Sequence, residues 1–352
     1  MSAPRGTTPA ELSASSVSSS RPDGENLRRL RKQIGPWAPL LSLIALCLIL
    51  GLLSPRFLTL KNFVGIANEA APILALAMGT TFVIILGGID LSVEGIIAVA
   101  GVTIVLLARN DFNQNNYGWL GVMVAIFLAS AMGFLNGLVH TRLRIPSFMA
   151  TLAMQYVGLG LATVLLAGNF AQMRDPQIRG LVLNQFPDLE GAPDFGLPYT
   201  TWLAIGTFAV AYIIQGYTKI GRYMYAIGGA EDLAALSGVR INRYKLIIFT
   251  LAGLFSGIAG LVRAAQVGLA QPAIGAGMLF TSITGVVVGG TALSGGEGGV
   301  LNTLIGVLIV TVLHNGMILL AVNPYIQQAI QGLIIVVAVT LTINRARLKI
   351  IK

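Results

Sequence analysis

The chain alternates between long apolar segments and short polar connectors. Ten apolar segments can be traced, and most approach the roughly 20 residues that an α-helix needs to cross a bilayer. They are 37–53, 64–86, 93–108, 118–139, 148–167, 199–216, 247–268, 277–293, 300–322 and 325–343. The third and eighth are short and flanked by glycine, which favours broken or tilted helices. The pattern predicts an all-α, polytopic membrane protein with about ten transmembrane helices, all within a single transmembrane domain, 37–343.

Composition agrees with this prediction and gives no sign of a catalytic or metal site. Of 352 residues, 55% are hydrophobic and 11% charged, with a mean hydropathy of +0.78, whereas a soluble domain carries about 25% charged residues. The single cysteine, Cys47, lies in the first apolar segment, so we expect no disulfide framework. His140 and His314 lie far apart, and no G-x-x-x-x-G-K-S/T run is present. The sequence therefore predicts no catalytic residue, no metal and no cofactor.

The distribution of basic residues predicts the orientation. Lysine and arginine stay preferentially on the cytoplasmic side of a membrane. If the N-terminus is inside, the inner segments are 1–36, 87–92, 140–147, 217–246, 294–299 and 344–352. These segments hold seventeen of the 23 Lys and Arg residues. Both termini are therefore predicted to be cytoplasmic, and the net charge of +9 reflects this bias rather than nucleic-acid binding.

The two ends of the chain are predicted to be polar cytoplasmic tails. Residues 1–36 are rich in Ser, Thr, Ala and Pro and become basic towards their end, which is typical of disorder. The apolar segment after them follows a long polar stretch and leads into further spans, so we interpret it as a retained helix rather than a signal peptide. Residues 344–352 form the basic C-terminal tail.

Segment 168–198 is the largest one assigned to the outside. It is rich in Pro and Gly and carries several acidic residues. We expect it to be the landing site of an external partner.

The polar segment 217–246 interrupts the apolar pattern. Within it, Gly228 and Gly229 are predicted to open a short helix over 230–237, which Gly238 closes. The first turn of this helix carries Glu231 and Asp232, where the positive helix end favours acids. Such a small-residue helix, held between membrane spans, has a shape suited to docking into another protein. Leu233 and Leu236 share one face of this helix, and Ala235 lies between them in the sequence.

A few ionisable residues lie inside or beside the apolar segments. Such groups are expensive in a membrane and usually face a cavity or a partner. Glu69 and Arg263 are at similar predicted depth, and they either pair or reach the outer interface separately. Asp90 either holds the Gly-Gly turn before it or lines the inner mouth of a path, and the capping preference of Asp favours the first. His314 is better explained by packing or hydrogen bonding than by substrate contact.

Four sequence runs resemble a known family. They are GGIDLSV at 87–93, YAIGG with LSG at 225–238, AGLVRAAQVGLAQP at 259–272 and VVVGGTALSGG at 286–296. In this order they are similar to the ribose-type sugar permeases, the membrane subunits of ATP-binding-cassette (ABC) importers. The run HNGMILLAVNPYIQQAIQGLIIVVAV at 314–339 fits the end of the same family, so the resemblance covers about 40–345.

The resemblance implies partners as well as a fold. It implies about ten transmembrane helices, a second permease subunit, a separate cytoplasmic ATPase and an external sugar-binding protein, in the inner membrane of a bacterium. By the same resemblance, 228–238 is the coupling helix that fits a groove on the ATPase.

A sugar path needs hydrogen-bonding groups inside the spans. The candidates are Thr80, Thr81, Asp90, Asn136, Thr151, Gln155, Asn302 and Asn315. Their alternative role is hydrogen bonding between helices, which is common for single polar residues in a membrane.

Three positions depart from the family pattern. Glu94 stands where the family usually has Gly, 279–281 read Leu-Phe-Thr in place of a Glu-Leu-Asp run, and Glu297 replaces an Arg. The roles of the family's charges at these positions are therefore not transferred to this chain.

Two other functional classes fit a polytopic membrane protein. An ion-coupled secondary transporter works without an ATPase but usually needs several mid-span acids, and these are scarce here. The other class is a non-transporting scaffold, or a channel, and absence of sugar transport in any combination of subunits would support the scaffold.

The absence of a G-x-x-x-x-G-K-S/T run, which forms the phosphate-binding loop of many ATPases, gives the first prediction. The purified chain alone should show no ATP turnover above that of an empty-membrane preparation. Appreciable hydrolysis by the chain alone would contradict a partner-driven mechanism.

Overall fold

The computed structural model describes residues 37–186 and 196–342, which form thirteen helices and four two-residue strands. The first helices are α1 (Ala38–Leu53), α2 (Leu60–Ile85), α3 (Val93–Leu107), α4 (Trp119–Arg142), α5 (Ser147–Leu165) and α6 (Pro176–Leu183). They are followed by α7 (Tyr199–Tyr217), α8 (Lys219–Gly229), α9 (Glu231–Leu236), α10 (Ile241–Val267), α11 (Met278–Val288), α12 (Val300–Leu319) and α13 (Pro324–Thr342). The strands are β1 (Ala171–Gln172), β2 (Gln185–Phe186), β3 (Leu197–Pro198) and β4 (Leu269–Ala270).

Every one of the ten apolar segments contains a helix. Five helices, α2, α4, α5, α10 and α12, are individually long and apolar enough to span a membrane, and α7 with α8 forms a sixth candidate bent by 70°. The apolar helices α1, α3, α11 and α13 are shorter. The chain is thus an all-α, multi-pass membrane protein, while the count of ten spans stays a prediction. The predicted tails 1–36 and 344–352 lie outside the described residues.

Helix α10 lies at the centre of the bundle, where it packs against α2, α3 and α4. Its contact with α4 is a backbone-to-backbone approach between Gly253 and Gly133. A Cβ atom at Gly133 would overlap the carbonyl of Phe249 and stand 2.9 Å from the Cα of Gly253. Small residues allow such close packing in lipid, where no hydrophobic force drives helices together.

The segments assigned to the outside meet at one end of this bundle. Strand β1 pairs antiparallel with β4, and an isolated bridge joins Asn110 to Met173. Asp175 caps α6 by accepting hydrogen bonds from the backbone N–H groups of Gln177 and Ile178. Segment 168–186 is therefore tied to the loops around it, and the rest of the predicted landing site resumes at residue 196.

The second prediction tests the orientation. In a Cys47→Ala background, Asn184→Cys should react with a membrane-impermeant thiol reagent added outside intact cells. Ser237→Cys should react only after the membrane is opened, because both positions are exposed but lie in segments assigned to opposite sides. The reverse pattern would place 217–246 outside and overturn the charge argument.

Candidate coupling element and intramembrane cavity

The polar segment 217–246 folds into two helices, α8 and α9, and the first residues of α10. Helix α8 bends by 70° from α7, and the hydroxyl of Thr218 accepts a hydrogen bond from the Ile220 N–H at its start. The predicted helix over 230–237 is observed as α9, with Glu231 and Asp232 in its first turn. Gly238 follows it in the left-handed conformation, at φ +80°, as predicted.

One boundary differs from the prediction. Gly228 and Gly229 end α8 rather than open α9, and Ala230 is the extended residue between the two helices. Gly228 is needed inside α8 because its backbone packs against other backbone, which leaves no room for a side chain.

Helix α9 exposes apolar side chains on the surface of the chain. Leu233 is 65% and Leu236 85% exposed, and Ala235 is exposed between them. Ala234 is buried against the bundle, and Glu231 forms an ion pair with Lys245 of α10 at 2.7 Å. The helix is therefore fixed on one side and open on the other, within a polar segment that is unsuited to lipid.

Beside this element, glycine backbones from three segments meet: the end of α2, the end of α8 and the loop after α11. Helices α2 and α11 end in similar turns, with Gly87 and Gly290 at positive φ. Gly228 at the end of α8 lies against the carbonyl of Ile85, and a Cβ at Gly295 would stand 2.9 Å from the Cα of Gly87. We call these contacting residues, Ile85, Gly87, Gly228, Gly295 and Gly296, the glycine junction.

Hydrogen bonds hold the loop 289–299 to the glycine junction and to α7 and α8. The N–H of Gly296 donates to the carbonyl of Ile85 at 2.8 Å. The hydroxyl of Tyr225 on α8 donates to the carbonyl of Gly298 at 2.7 Å, and the N–H of Val300 donates to the amide oxygen of Gln215 on α7 at 2.7 Å. The segment that carries α9 is thus bonded directly to the ends of the membrane helices.

The residues between α2 and α3 are not helical, and α5 supplies hydrogen-bond partners to their backbone and to the first turn of α3. Three polar residues of α5, spaced four apart, accept these hydrogen bonds. The pairs are Ile89 N–H to Ser147 Oγ at 3.0 Å, Leu91 N–H to Thr151 Oγ1 at 2.9 Å and Gly95 N–H to Gln155 Oε1 at 2.7 Å. We call this set the α5 polar ladder.

Asp90 lies in the same stretch between α2 and α3. Its Oδ1 atom accepts hydrogen bonds from the N–H of Ser92 at 2.9 Å and from its hydroxyl at 2.5 Å. Asn136 of α4 donates to the hydroxyl of Ser92 at 2.8 Å. Asp90 and Asn136 thus hold the turn before α3; the bonds of Asp90 go to Ser92, which follows it, and not to the Gly-Gly turn before it that the sequence suggested.

The remaining path candidates also join helices, except Asn302. Thr81 bonds to Thr303 at 2.8 Å, and Thr80 approaches Ser282 at 3.4 Å. Asn315 exchanges two hydrogen bonds with Asn62, at 3.0 and 3.1 Å. Asn302 is exposed at the start of α12.

A polar cavity of about 320 Å³ lies elsewhere in the bundle. None of the predicted path residues lines it. Its polar side chains come from five helices and are Glu69, Arg263, Thr281, Thr311, His314, Gln327, Gln328 and Gln331.

The intramembrane pairing differs from the one considered in the sequence. Glu69 is hydrogen-bonded to Nδ1 of His314 at 2.5 Å rather than to Arg263. Among the described residues, Arg263 forms no ion pair, and its Nε donates to the carbonyl of Ile274 at 3.4 Å. Glu69 and Arg263 nevertheless line the same cavity. His314 has the hydrogen-bonding role expected of it, with Glu69 as the partner.

Comparison with known proteins identifies the family. The model of a family described as the permease component of branched-chain amino acid transport systems matches residues 62–339. The chain belongs to this permease family. No solved structure matches the chain at a significant level.

Several curated relatives of this permease cover most of its length. The ribose import permease protein RbsC of Escherichia coli strain K12 is 34% identical over 304 residues, 85% of this chain and 91% of the relative. RbsC of Bacillus subtilis is 36% identical over 304 residues, 86% of this chain and 91% of the relative. The L-arabinose transport system permease protein AraH of E. coli K12 is 33% identical over 285 residues, 81% of this chain and 83% of the relative. The permease is thus a transport component, not an enzyme.

Two of the departures from the sugar-permease pattern meet in the structure. Glu94, in the first turn of α3, accepts a hydrogen bond from the N–H of Leu279, in the first turn of α11, at 3.2 Å. The starts of the two short helices therefore face each other within the bundle. Phe280 is 61% exposed and Thr281 lines the cavity. The carbonyl of Glu297, in the loop 289–299, accepts from the N–H of Ala292.

The sequence did contain a signal for the cavity of this permease. Gln327, Gln328 and Gln331 are spaced so that they share one face of α13. Three amides on one face of an otherwise apolar helix indicate a polar surface, whereas single Thr and Asn residues, as chosen for the path, are more often bonded to a neighbouring helix.

The third prediction tests the glycine junction with two adjacent glycines. Gly228→Ala should lower the thermal midpoint of the detergent-solubilised permease by a few degrees, because its Cβ would overlap the carbonyl of Ile85 and overpacking costs about 1–3 kcal/mol. Gly229→Ala is the matched control, since a Cβ there meets no described atom within 4 Å. Equal midpoints for the two variants would contradict the junction.

Proposed function

We propose that this permease is the membrane-spanning subunit of an ABC importer that moves a monosaccharide or related polyol across the bacterial inner membrane. The family description names branched-chain amino acids, whereas the individual relatives that align over most of this chain are named for ribose and L-arabinose. We give more weight to the relatives because they match this chain in particular. A family description covers many members with different substrates.

The partners follow from this assignment. The permease works with a cytoplasmic ATPase, an external sugar-binding protein and a second permease subunit, which is either another copy or a paralogue. ATP binding draws the ATPase pair together and moves α9 on each permease. The permease then opens towards the binding protein, and hydrolysis resets it.

The observation that carries the proposal is the exposed apolar face of α9. Leu233 and Leu236 are more than half exposed, and they lie in a polar, mostly basic segment that lipid would not cover. Burying a leucine side chain contributes about 1.5–3 kcal/mol, so two adjacent exposed leucines favour a protein partner. The ion pair between Glu231 and Lys245 and the burial of Ala234 support α9 from the bundle side.

The alternative was an ion-coupled carrier, which needs acids that can bind and release an ion in the spans. Three acids that lie in or beside the described spans have other partners. Glu69 is bonded to His314, Asp90 to Ser92 and Glu94 to the backbone of Leu279. Their arrangement and the family membership favour the ATP-driven importer.

The fourth prediction tests docking of the ATPase on α9. Leu236→Ala should weaken ATPase binding to the permease in nanodiscs by about tenfold, because part of a buried leucine is lost. Ala235→Glu should abolish ATP-driven uptake, since it places an unpaired charge in the contact. Expression and membrane insertion should be unchanged, because both side chains are exposed in the single chain.

Leu183→Ala is the matched control for this prediction. Leu183 is 67% exposed but lies in the segment assigned to the outside, so its truncation should leave ATPase affinity unchanged. Normal ATPase affinity and normal ATP-driven uptake in both α9 variants would reduce α9 to a solvated loop and refute its coupling role.

A further inference from the structure

The polar cavity offers hydrogen-bonding capacity that the described residues leave unused. The terminal nitrogens of Arg263 and the amides of Gln328 and Gln331 make no hydrogen bond within the described part of the chain, although all three residues line the cavity. Gln328 is exposed and Gln331 and Arg263 are half-buried in the single chain, so water can reach these groups and a polar ligand can replace it. Their convergence on one space therefore suits a polar occupant.

We propose that this cavity is a transient binding site for a single monosaccharide in transit, a role that rests on the transport function proposed above. Arg263 donates only, the free oxygen of Glu69 accepts only, and the glutamine amides do both. A sugar hydroxyl both donates and accepts, so this mixed set suits a polyhydroxylated molecule.

The size of the cavity narrows the ligand further. Its volume of about 320 Å³ is at the lower end of the roughly 300–1,000 Å³ typical of small-molecule sites. A single sugar ring is therefore favoured over a disaccharide.

The helices that line the cavity explain how the sugar would be retained. Gly277, Met278 and Thr281, at the start of α11, form part of the lining. Farther along α2, about 16 Å beyond Glu69 at 1.5 Å per residue, Thr80 and Thr81 contact Ser282 of α11 and Thr303 of α12. These hydroxyl contacts join α2 to α11 and α12 past the cavity. Separation of these helices is the step that would release the sugar to the other side.

Chemical protection tests binding directly. In a Cys47→Ala background, Thr281→Cys places a thiol in the lining, and Asn184→Cys places one on the exposed external segment. With the full importer in nanodiscs, D-ribose or L-arabinose at twice its dissociation constant should slow alkylation at position 281 about threefold. Neither sugar should slow alkylation at position 184, and maltose at the same concentration should protect neither site. Absence of protection at position 281 with both monosaccharides up to solubility would overturn the proposal, and so would equal protection by maltose.

Transport measurements separate a binding role from a structural one. Thr281→Val should lower the sugar moved per ATP hydrolysed, while the sugar-loaded binding protein still stimulates the ATPase normally. Thr284→Val is the matched control on the same helix, because each threonine hydroxyl bonds to the carbonyl four residues earlier but Thr284 lies outside this lining. Gln328→Leu should also lower the sugar moved per ATP hydrolysed. The decrease should be about fivefold if one hydrogen bond to the sugar is lost.

The two assays distinguish this inference from the transport function itself. If the importer carries sugar and the Thr281 and Gln328 variants match the Thr284 control, the cavity proposal is wrong and the transport function stands. If the unaltered importer carries no sugar, the transport function fails, and protection at position 281 still decides whether the cavity binds a monosaccharide.

Discussion

The fold depends on hydrogen-bond partners for the non-helical backbone between α2 and α3. A buried backbone N–H group without a partner costs about as much free energy as a lost hydrogen bond, so such a stretch is stable only where other residues pair with it. Here the stretch between α2 and α3 receives these partners from the α5 polar ladder, Ser147, Thr151 and Gln155. Glu94 likewise pairs with the backbone at the start of α11, because its carboxylate accepts a hydrogen bond from the Leu279 N–H. These bonds allow two short helices to begin within the bundle, and the start of α11 supplies part of the cavity wall.

This constraint also explains how much could be predicted from the sequence. The apolar segments were correctly assigned to helices, because length and hydropathy act locally. The left-handed Gly238 after α9 was also predictable, since a short helix pattern ended there. The roles of Thr151, Gln155 and Asp90 were harder to assign, because a polar residue in a span looks the same whether it faces a substrate or a backbone N–H group. The distinction depends on which segment lies opposite, and that is a tertiary property.

The charged residues show the same limit. Glu69 and Arg263 were placed at similar depth from their positions along two helices, and they do line one cavity. Depth alone did not reveal that His314 approaches Glu69 from a third helix. The glutamines of α13 were the better sequence signal, because three of them repeat at helical spacing.

Two helices connect the polar cavity to α9 and the segment around it. Helix α2 carries Glu69 at the cavity and Thr81 beside α12 farther along, and its Ile85 carbonyl accepts the N–H of Gly296. Helix α11 begins in the cavity lining and ends at the loop that Tyr225 of α8 holds through Gly298. Because Gly228 packs against the Ile85 carbonyl without any intervening side chain, the end of α8 has no room to approach α2 unless α2 or the loop also moves. A packed contact of this kind transmits displacement rather than absorbing it. In the proposed mechanism, the α2–α11 pair is the direct structural route by which a movement of α9 would reach the cavity.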